Sequence, residues 1–519
     1  MSWKPEVDGI EERRRRALEL GGTDAVARQH EKGRQTIRER IDGLLDSGTF
    51  DEQGPIAGSA EIDENGQLVG FTGANYVLGT GHLDGRPIVV GGEDFTQRGG
   101  SPSPAGLRKS VYAETLAVQL RLPLVRFLEG AGGSVTGTRG KGGAPRIVGD
   151  PVYATPRFRS VMEAMATAPV VSAAVGAVAG LPAARLVASH FAIMTEGAQV
   201  LIAGPAVVER ATGESLTKEE LGGPKVHLRS GVVDNLARDE AEAFELVRRF
   251  LSYLPTNVWE LPPVVSSDDD PERIDESLLD IVPRERRRVY NARKLVERVV
   301  DHGSFFEMTP RFGRSQVTGL ARLDGRPVGV WANDPRFYAG AMTADAARKI
   351  TRFVDLCDTF HLPIVAFVDE PGFMIGSASE GAATIRHGAA ALFAVQQSSV
   401  PWASVIVRKT YGVAAAAHFG PEGYVLAWPS AEGGALPIEG GVAVAFRREI
   451  AAAEDPDALR AELEEKMSRG RSAFPRAEGF AVHDLIDPRT TRPALCRWLR
   501  WQESRLAQHV GPRARSIRP

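Results

Sequence analysis

Residues 128–134 read Leu-Glu-Gly-Ala-Gly-Gly-Ser, with glycines directly after the apolar run that ends at Leu128. Glycine lets a backbone turn sharply and approach a ligand closely, so N–H groups at Gly132 and Gly133 can point at an anion. A helix starting just beyond would add the positive end of its dipole. The same glycines also suit a plain strand-ending turn, and from glycines alone both readings stand. No acid–base pair of side chains is evident. The chemistry that fits is stabilisation of an oxyanion by backbone N–H groups, each worth about 3 kcal/mol in the transition state. The base would then come from the substrate or a cofactor.

Other chemistries fail specific tests. A nucleophile elbow needs glycine two residues after Ser134, where Thr136 stands. A phosphate loop needs Ser or Thr after its lysine, and Lys141 is followed by Gly142. Residues 79–85, GTGHLDG, resemble a dinucleotide loop but lead into a strand rather than a helix. The ten histidines show no metal-binding spacing, so no metal site is expected, and His227, His387 and His418 read as structural.

The composition is that of a soluble globular chain, and 519 residues suggest two domains. A net charge of −3 gives no electrostatic case for nucleic acid or an anionic membrane, and Arg13–Arg16 reads as a solvated helix face. Two cysteines, Cys357 and Cys496, are too few for a disulfide framework, which makes cytoplasm the expected compartment. Residues 1–22 carry no secretory pattern. The uncharged stretch 164–184 is long enough to span a bilayer, but Pro169, Pro182 and its Ala/Gly/Val content point to a buried strand and turn.

The elements that would position such a site are written twice. LDGRP occurs at 83–87 and at 323–327, an offset of 240. The offset holds from Asp94 and Asp334 through Gly100 and Gly340, Lys109 and Lys349, to Gly132 and Gly372. Upstream, LLDSGTFDE (44–52) matches VVDHGSFFE (299–307) at 255, so the first copy carries about fifteen extra residues in the polar segment near 54–70. Downstream, Pro169 matches Pro401 and Gly180 matches Gly412 at 232. The segment 262–273, rich in Pro, Ser and Asp, reads as a linker, which sets domains of 1–268 and 269–519. Each copy reads as strand, glycine-containing loop, amphipathic helix and buried strand, an α/β order that predicts parallel sheets covered by helices. Ile350, Phe353, Val354 and Cys357 form the inward stripe of the second helix, with Tyr112, Leu116 and Leu120 doing the same in the first. Arg108 and Lys109 read as a solvated helix face.

Several long motifs together resemble the carboxyltransferase (beta) subunit of biotin-dependent acyl-CoA carboxylases, of the propionyl-CoA and methylcrotonyl-CoA carboxylase type. They include RIDGLLDSGTFDE (40–52), GEDFTQRGGS (92–101), the run 323–349, CDTFHLPIVAFVDEPGFMIG (357–376), IRHGAAALFA (385–394), VIVRKTYG (405–412) and residues 427–441. The resemblance covers about residues 30 to 500. It implies two tandem crotonase (ClpP)-like domains, each a ββα superhelix, in a homohexamer built as a trimer of dimers. It also implies an acyl-CoA site in the N-terminal domain and a carboxybiotin site in the C-terminal one. The implied reaction moves CO2 from carboxybiotin to the α carbon of an acyl-CoA through two enolates, each held in a backbone oxyanion hole. Gly132 and Gly133 would serve the thioester enolate, and Val413 and Ala414 the biotin. Gly99, Gly100, Ala131 and Ser134 would flank the first site, and Ala339, Gly340, Gly412 and Ala416 the second. Loops 97–102 and 337–342 read equally as plain helix-entry turns.

The chain departs from the family pattern at several of these positions. EGAGGS stands where DSGGAR is usual, and Val413 where YGGA has its second glycine, a residue that would resist a positive φ. Ala416 stands where carboxylases of short acyl chains often carry aspartate, which points to another acyl group. Residues 435–441 also replace the usual turn. No zinc-binding cysteine set and no Met-Lys-Met biotin attachment motif is present, so biotin is expected on a separate biotin carboxylase/carrier alpha subunit. Two alternatives accompany this reading: a decarboxylase or transcarboxylase subunit acting on a dicarboxylic acyl-CoA, and a non-catalytic assembly homologue.

Overall fold

The computed structural model describes residues 2–130, 132, 157–286, 288–469 and 472–513. The chain divides into two compact units, the first running to Glu260 and the second from Leu261 to Gly511, with Pro512 and Arg513 grouped with the first. Residues 261–268 go with the second unit because the Val265 N–H donates to the Gly325 carbonyl at 3.1 Å.

Each LDGRP is a hairpin turn. Asp84 and Gly85 take φ of 52° and 77°, and Asp324 and Gly325 repeat them at 53° and 75°. Two consecutive positive φ values make the type I′ turn, whose twist matches that of paired strands. Asp46 clamps the first turn, its carboxylate accepting the Asp84 and Gly85 N–H groups at 3.0 and 2.8 Å. Asp301 does the same for Asp324 and Gly325 at 2.9 and 2.8 Å.

Among the described residues the first unit holds β1 (Asp51–Glu52), a separate hairpin of β2 (Gly58–Ile62) and β3 (Leu68–Gly73), then β4 (Tyr76–Leu83), β5 (Arg86–Glu93), β6 (Leu124–Gly130), β7 (Val170–Ala179), β8 (Phe191–Thr195), β9 (Gln199–Leu201) and β10 (Asn235–Ala237). The second holds β11 (Phe306–Met308), β12 (Gln316–Leu323), β13 (Arg326–Asn333), β14 (Ile364–Glu370), β15 (Trp402–Tyr411), β16 (Tyr424–Ala427), β17 (Glu432–Gly434) and β18 (Asp484–Leu485). The main sheets run β1-β4-β5-β6-β7-β8-β10 and β11-β12-β13-β14-β15-β16-β18, with β9 on β7 and β17 on β15. The extra segment of the first copy is the β2–β3 hairpin.

Strand register repeats the sequence offsets. Leu124 pairs with Val170, and Ile364 with Trp402. Asp51 pairs with Thr80, and Phe306 with Leu320. Both central strand pairs carry an irregularity at the same place, between Leu128 and Gly130 and between Val368 and Glu370. The sheets are mixed rather than parallel throughout: β1-β4-β5 and β11-β12-β13 are antiparallel, and pairing is parallel from β5 and β13 onward. A two-residue turn can join only antiparallel neighbours.

The helices differ from expectation in two places. Helix Ala344–Thr359 buries Ile350, Phe353, Val354 and Cys357 as its stripe predicts. In helix Pro104–Leu120, Ala113, Leu116 and Ala117 face the core, whereas Tyr112 and Leu120 are 42% and 49% exposed. Buried Glu114 occupies that inward face and pairs with Arg126 and Arg185 at 3.2 and 2.8 Å. Lys109 is also buried rather than solvated. Its Nζ donates to the Gly54 carbonyl at 3.2 Å, and its counterpart Lys349 donates to the carbonyls of Thr309, Phe312 and Gln316. Arg108 is exposed.

Candidate functional site

In each unit three loops converge at the C-terminal ends of the central parallel strands, where open α/β sheets bind ligands. In the first unit the loop after β5 takes positive φ at Arg98, Gly99 and Gly100 (55°, 61° and 70°). A Cβ on Gly100 would collide with the Glu129 carbonyl and come within 2.7 Å of Gly130 Cα. The Ser101 hydroxyl donates to the Gly132 carbonyl at 2.8 Å. Gly132 has φ 76°, and a Cβ there would lie 2.9 Å from the Ala179 carbonyl oxygen. Gly180, with φ 65°, opens helix Leu181–Val187. Ala131, Gly133 and Ser134 lie outside the described residues.

The second unit repeats the arrangement. Tyr338, Ala339 and Gly340 take φ of 51°, 54° and 90°. Left-handed backbone at a tyrosine and an alanine costs about 1–2 kcal/mol per residue, and such strain collects at functional sites. The Met342 N–H donates to the Gly372 carbonyl at 3.1 Å, and the Met374 N–H returns to Met342 at 2.9 Å. Gly412, with φ 63°, opens the short helix Gly412–Ala416. The positive φ therefore falls on Gly412, and Val413 follows without it, its side chain 63% exposed. Ala414 is buried and Ala416 exposed. The first N–H groups of a helix have no intrahelical acceptor and are left to a cap, solvent or a ligand.

A cavity of about 310 Å³ opens here, bordered by Ala339, Pro371, Tyr411, Pro437, Lys409 and Arg408 among others. Arg408 is held by Asp369 at 2.9 Å, and both side chains are buried. Asp369 also accepts the Tyr290 hydroxyl at 3.1 Å and the Lys409 N–H at 3.1 Å. The first unit keeps the same logic with Glu129, one residue before the end of β6, paired with Arg40 at 2.8 Å and Arg34 at 3.0 Å.

Directly beneath the second unit's loops lies a buried polar cluster. Glu370 accepts the Gly372 N–H on Oε1 at 2.9 Å and Asn333 Nδ2 on Oε2 at 3.0 Å. Its Oε2 lies 3.3 Å from His418 Nε2, and the imidazole stacks on Trp331 at 3.9 Å between centroids. Asn333 Nδ2 and Gln316 Nε2 both donate to the Gly340 carbonyl, at 3.1 and 3.0 Å. Burial pushes the Glu370 carboxyl up to about 8 and the His418 imidazole down to about 3. His227, by contrast, bonds the Val200 carbonyl at 2.7 Å and stands apart from these loops.

The repeat exposes two residues that motif reading passed over. Gly180 and Leu181 occupy the positions of Gly412 and Val413, with a positive φ at each glycine and a helix that begins directly after Gly180 and at Gly412. The 232 offset that pairs Gly180 with Gly412 was the available signal. Asp369, Arg408, Glu370 and Asn333 carried none, because isolated polar residues give no sign that they are buried.

Two tandem crotonase-like α/β halves, each gathering glycine turns at one end of its sheet, define the class of fold. The carboxyl transferase domain family matches residues 28–517. The propionyl-CoA carboxylase carboxyltransferase subunit of Haloferax mediterranei is 37% identical over 513 residues, covering 97% of each chain. The methylmalonyl-CoA carboxyltransferase 12S subunit of Propionibacterium freudenreichii subsp. shermanii is 34% identical, covering 92% of this chain and 90% of that one. The crystal structure of transcarboxylase 12S with methylmalonyl-coenzyme A and methylmalonic acid bound matches at TM-score 0.88 and 31% identity, covering 100% of this chain and 98% of that one. The chain belongs to the carboxyl transferase family, as a carboxyltransferase subunit of the biotin-dependent acyl-CoA carboxylase type. Among the described residues no helix is long and apolar enough to cross a membrane, and no group of three His, Cys, Asp or Glu is placed to hold a metal.

Proposed function

We propose that this subunit transfers a carboxyl group from biotin, carried on a partner alpha subunit, to the α carbon of an acyl-CoA other than acetyl- or propionyl-CoA. The observation that carries the proposal is the doubled helix start, Gly180–Leu181 and Gly412–Val413, one beside each set of convergent loops. Two enolate-type oxygens need two donor sets, and the chain has one in each unit.

The second unit fits the biotin ring. Its cavity of about 310 Å³ combines the apolar walls of Pro371, Pro437 and Tyr411 with the cations Arg408 and Lys409. Biotin supplies the carboxyl group and, once it has given that up, the base for the α proton. Val413 and Ala414 offer N–H groups to the ureido oxygen, and Gly412 makes the turn that presents them. In the first unit, Gly132, Gly133 and Leu181 offer N–H groups to the thioester oxygen, and Gly99 and Gly100 shape the adjoining loop. Ala131 and Ser134 are assigned to the first site, and Ala339, Gly340 and Ala416 to the second. Preorganised donors stabilise charge as it develops and need no side-chain base. The domains 1–268 and 269–519 thus divide the labour between acyl-CoA and biotin. A homohexamer is the assembly proposed, on the hexamer assembly described for transcarboxylase 12S. The cytoplasm is the proposed compartment.

The test is reconstitution with the biotinylated alpha subunit and a panel of acyl-CoA thioesters, measuring ATP-dependent fixation of labelled bicarbonate. Carboxylation of one thioester class is expected, and none across the panel would overturn the reading. The likeness to the 12S subunit favours one second reading, transfer out of a dicarboxylic acyl-CoA. Release of CO2 from such a thioester in the presence of free biotin, without net carboxylation of any acyl-CoA, would select it.

A further inference from the structure

We propose that Glu370 and His418 form a buried clamp that fixes the three loops of the second unit's site relative to one another, acting as positioning residues for carboxyl transfer. The inference rests on the function proposed above. Glu370 reaches the turn after β14 through the Gly372 N–H. His418 stands two residues beyond the helix that carries Val413 and Ala414 and faces Glu370 through Nε2. Asn333, bonded to the same Glu370 oxygen, holds the Gly340 carbonyl next to Ala339 and accepts the Asp369 N–H at 3.0 Å. One carboxylate therefore touches or adjoins each of the three loops that follow β13, β14 and β15.

The histidine is fixed as firmly as the glutamate. Trp331 stacks on its ring, and Trp402 Nε1 and Ser404 Oγ donate to its carbonyl at 2.8 and 2.7 Å. Its Nδ1 has no partner, so Nε2 is the nitrogen through which the ring makes its polar contact.

The fold itself does not require this cluster. On the repeat offsets, Gln316, Asn333, Glu370 and His418 correspond to Tyr76, Glu93, Gly130 and Leu186 in the first unit. That unit builds the same strands, register irregularity and positive-φ turns with Gly130 and Leu186 in place of the pair. Burying a carboxyl and an imidazole together is costly, and the hydrogen bonds that Glu370 does make are strengthened by the low dielectric around them. The first unit buries a different set there, with Glu93 raised by burial to about 7 and Arg185 paired to Glu114, so the Glu370–His418 pair belongs to the second unit alone among the described residues and lies under that unit's site.

The experiment uses the full-length protein and the variants His418→Leu, His418→Gln and Glu370→Gln. In His418→Leu, amide hydrogen exchange at 372–374 and 412–418 is expected to accelerate about tenfold or more, with β12 and β13 unchanged. His418→Gln keeps a side-chain amide that can donate to or accept from Glu370 and is expected to stay close to wild type. Glu370→Gln must set an N–H against either Gly372 or Asn333 and is expected to behave like His418→Leu. In the reconstituted complex kcat should fall about tenfold or more in the two disruptive variants, with KM for the acyl-CoA unchanged. Unchanged exchange at these loops, exchange raised equally across the whole sheet, or loosened loops with undiminished kcat would each overturn the clamp. Absence of carboxyl transfer in the wild type would instead overturn the proposed function, and the exchange measurements would still decide whether the clamp exists.

Discussion

Gly412 takes the positive φ of 63° and Val413 beside it does not. A β-branched residue is strongly disfavoured in the left-handed region, so the glycine absorbs the turn and valine follows it in the helical run with its N–H intact. Gly412→Ala is expected to cost about 1–2 kcal/mol of strain, read as a lower unfolding midpoint. Val413→Gly should retain carboxyl transfer. Val413→Pro has no N–H to offer, and kcat is expected to fall about a hundredfold. Wild-type kcat in Val413→Pro would remove this residue from the oxyanion site.

The Asp369–Arg408 pair sits between β14, β15 and the cavity, with side chains 0% and 5% exposed. Removing one partner leaves a buried charge alone, and Arg408→Met is expected to cost about 3–5 kcal/mol. The double variant Asp369→Leu/Arg408→Met should recover part of that loss, because no uncompensated charge remains. Denaturant unfolding of the three proteins checks the order, and a double variant less stable than Arg408→Met would contradict it.

The pair beneath the site makes stability depend on pH in two opposed ways. Glu370, raised to about 8, keeps its proton in the folded protein at pH values where the unfolded chain has lost it. Stability from this group is therefore greatest at low pH and falls as pH climbs toward 8, by up to about 1.4 kcal/mol per pH unit. His418, lowered to about 3, stays neutral when folded while the unfolded chain takes up a proton below the usual imidazole range. Its contribution is lost as pH falls from about 6.5 toward 3. Between pH 6.5 and 8 the glutamate acts without the histidine. Wild type is expected to lose stability relative to Glu370→Gln across that window, and parallel unfolding curves would refute the assignment.

The doubling was legible because LDGRP specifies a turn by chemistry: Asp-Gly supplies both positive φ values and Asp46 or Asp301 closes it. Mixed rather than parallel sheets follow from that same turn, and the strand preceding each LDGRP is the part that motif reading left out. Buried polar residues were the illegible part. Lys109, Glu114 and Glu370 look like surface residues in a sequence, since charged side chains are rarely inside unless paired. Their partners lie up to 71 residues away, as between Glu114 and Arg185. The candidate site was legible where glycines mark it, at Gly100, Gly132, Gly340 and Gly412. It was obscured at Leu181–Pro182, where the glycine signal stops after Gly180.

Ala416 lies three residues after Val413 on one exposed helix face, the spacing at which side chains are neighbours. An aspartate there would bring a carboxylate to the mouth of the site. Ala416→Asp is expected to shift the ratio of kcat/KM between short and long acyl-CoA substrates toward the short by about tenfold. Competition between two thioesters in the reconstituted reaction measures the ratio directly, and an unchanged ratio would show that Ala416 does not set acyl selectivity.

The first unit's donors can be separated by a substitution that spares the fold. Leu181 is the first residue of helix Leu181–Val187, and Pro182 already follows it. Proline is tolerated at a first helical position because its missing N–H would have no intrahelical partner. Gly180, at φ 65° and ψ −126°, lies in the mirror image of the extended region that normally precedes proline and is open to glycine. Leu181→Pro is therefore expected to fold with an unfolding midpoint near wild type while losing one N–H beside Gly132. Loss of an oxyanion donor should lower kcat about a hundredfold with little change in KM for the acyl-CoA. Gly132→Ala gives the contrasting case, since its Cβ would press on the Ala179 carbonyl at 2.9 Å. It should lower stability and activity together. If Leu181→Pro keeps full kcat while Gly132→Ala loses it, the turn at Gly132 supplies the donors without the helix start.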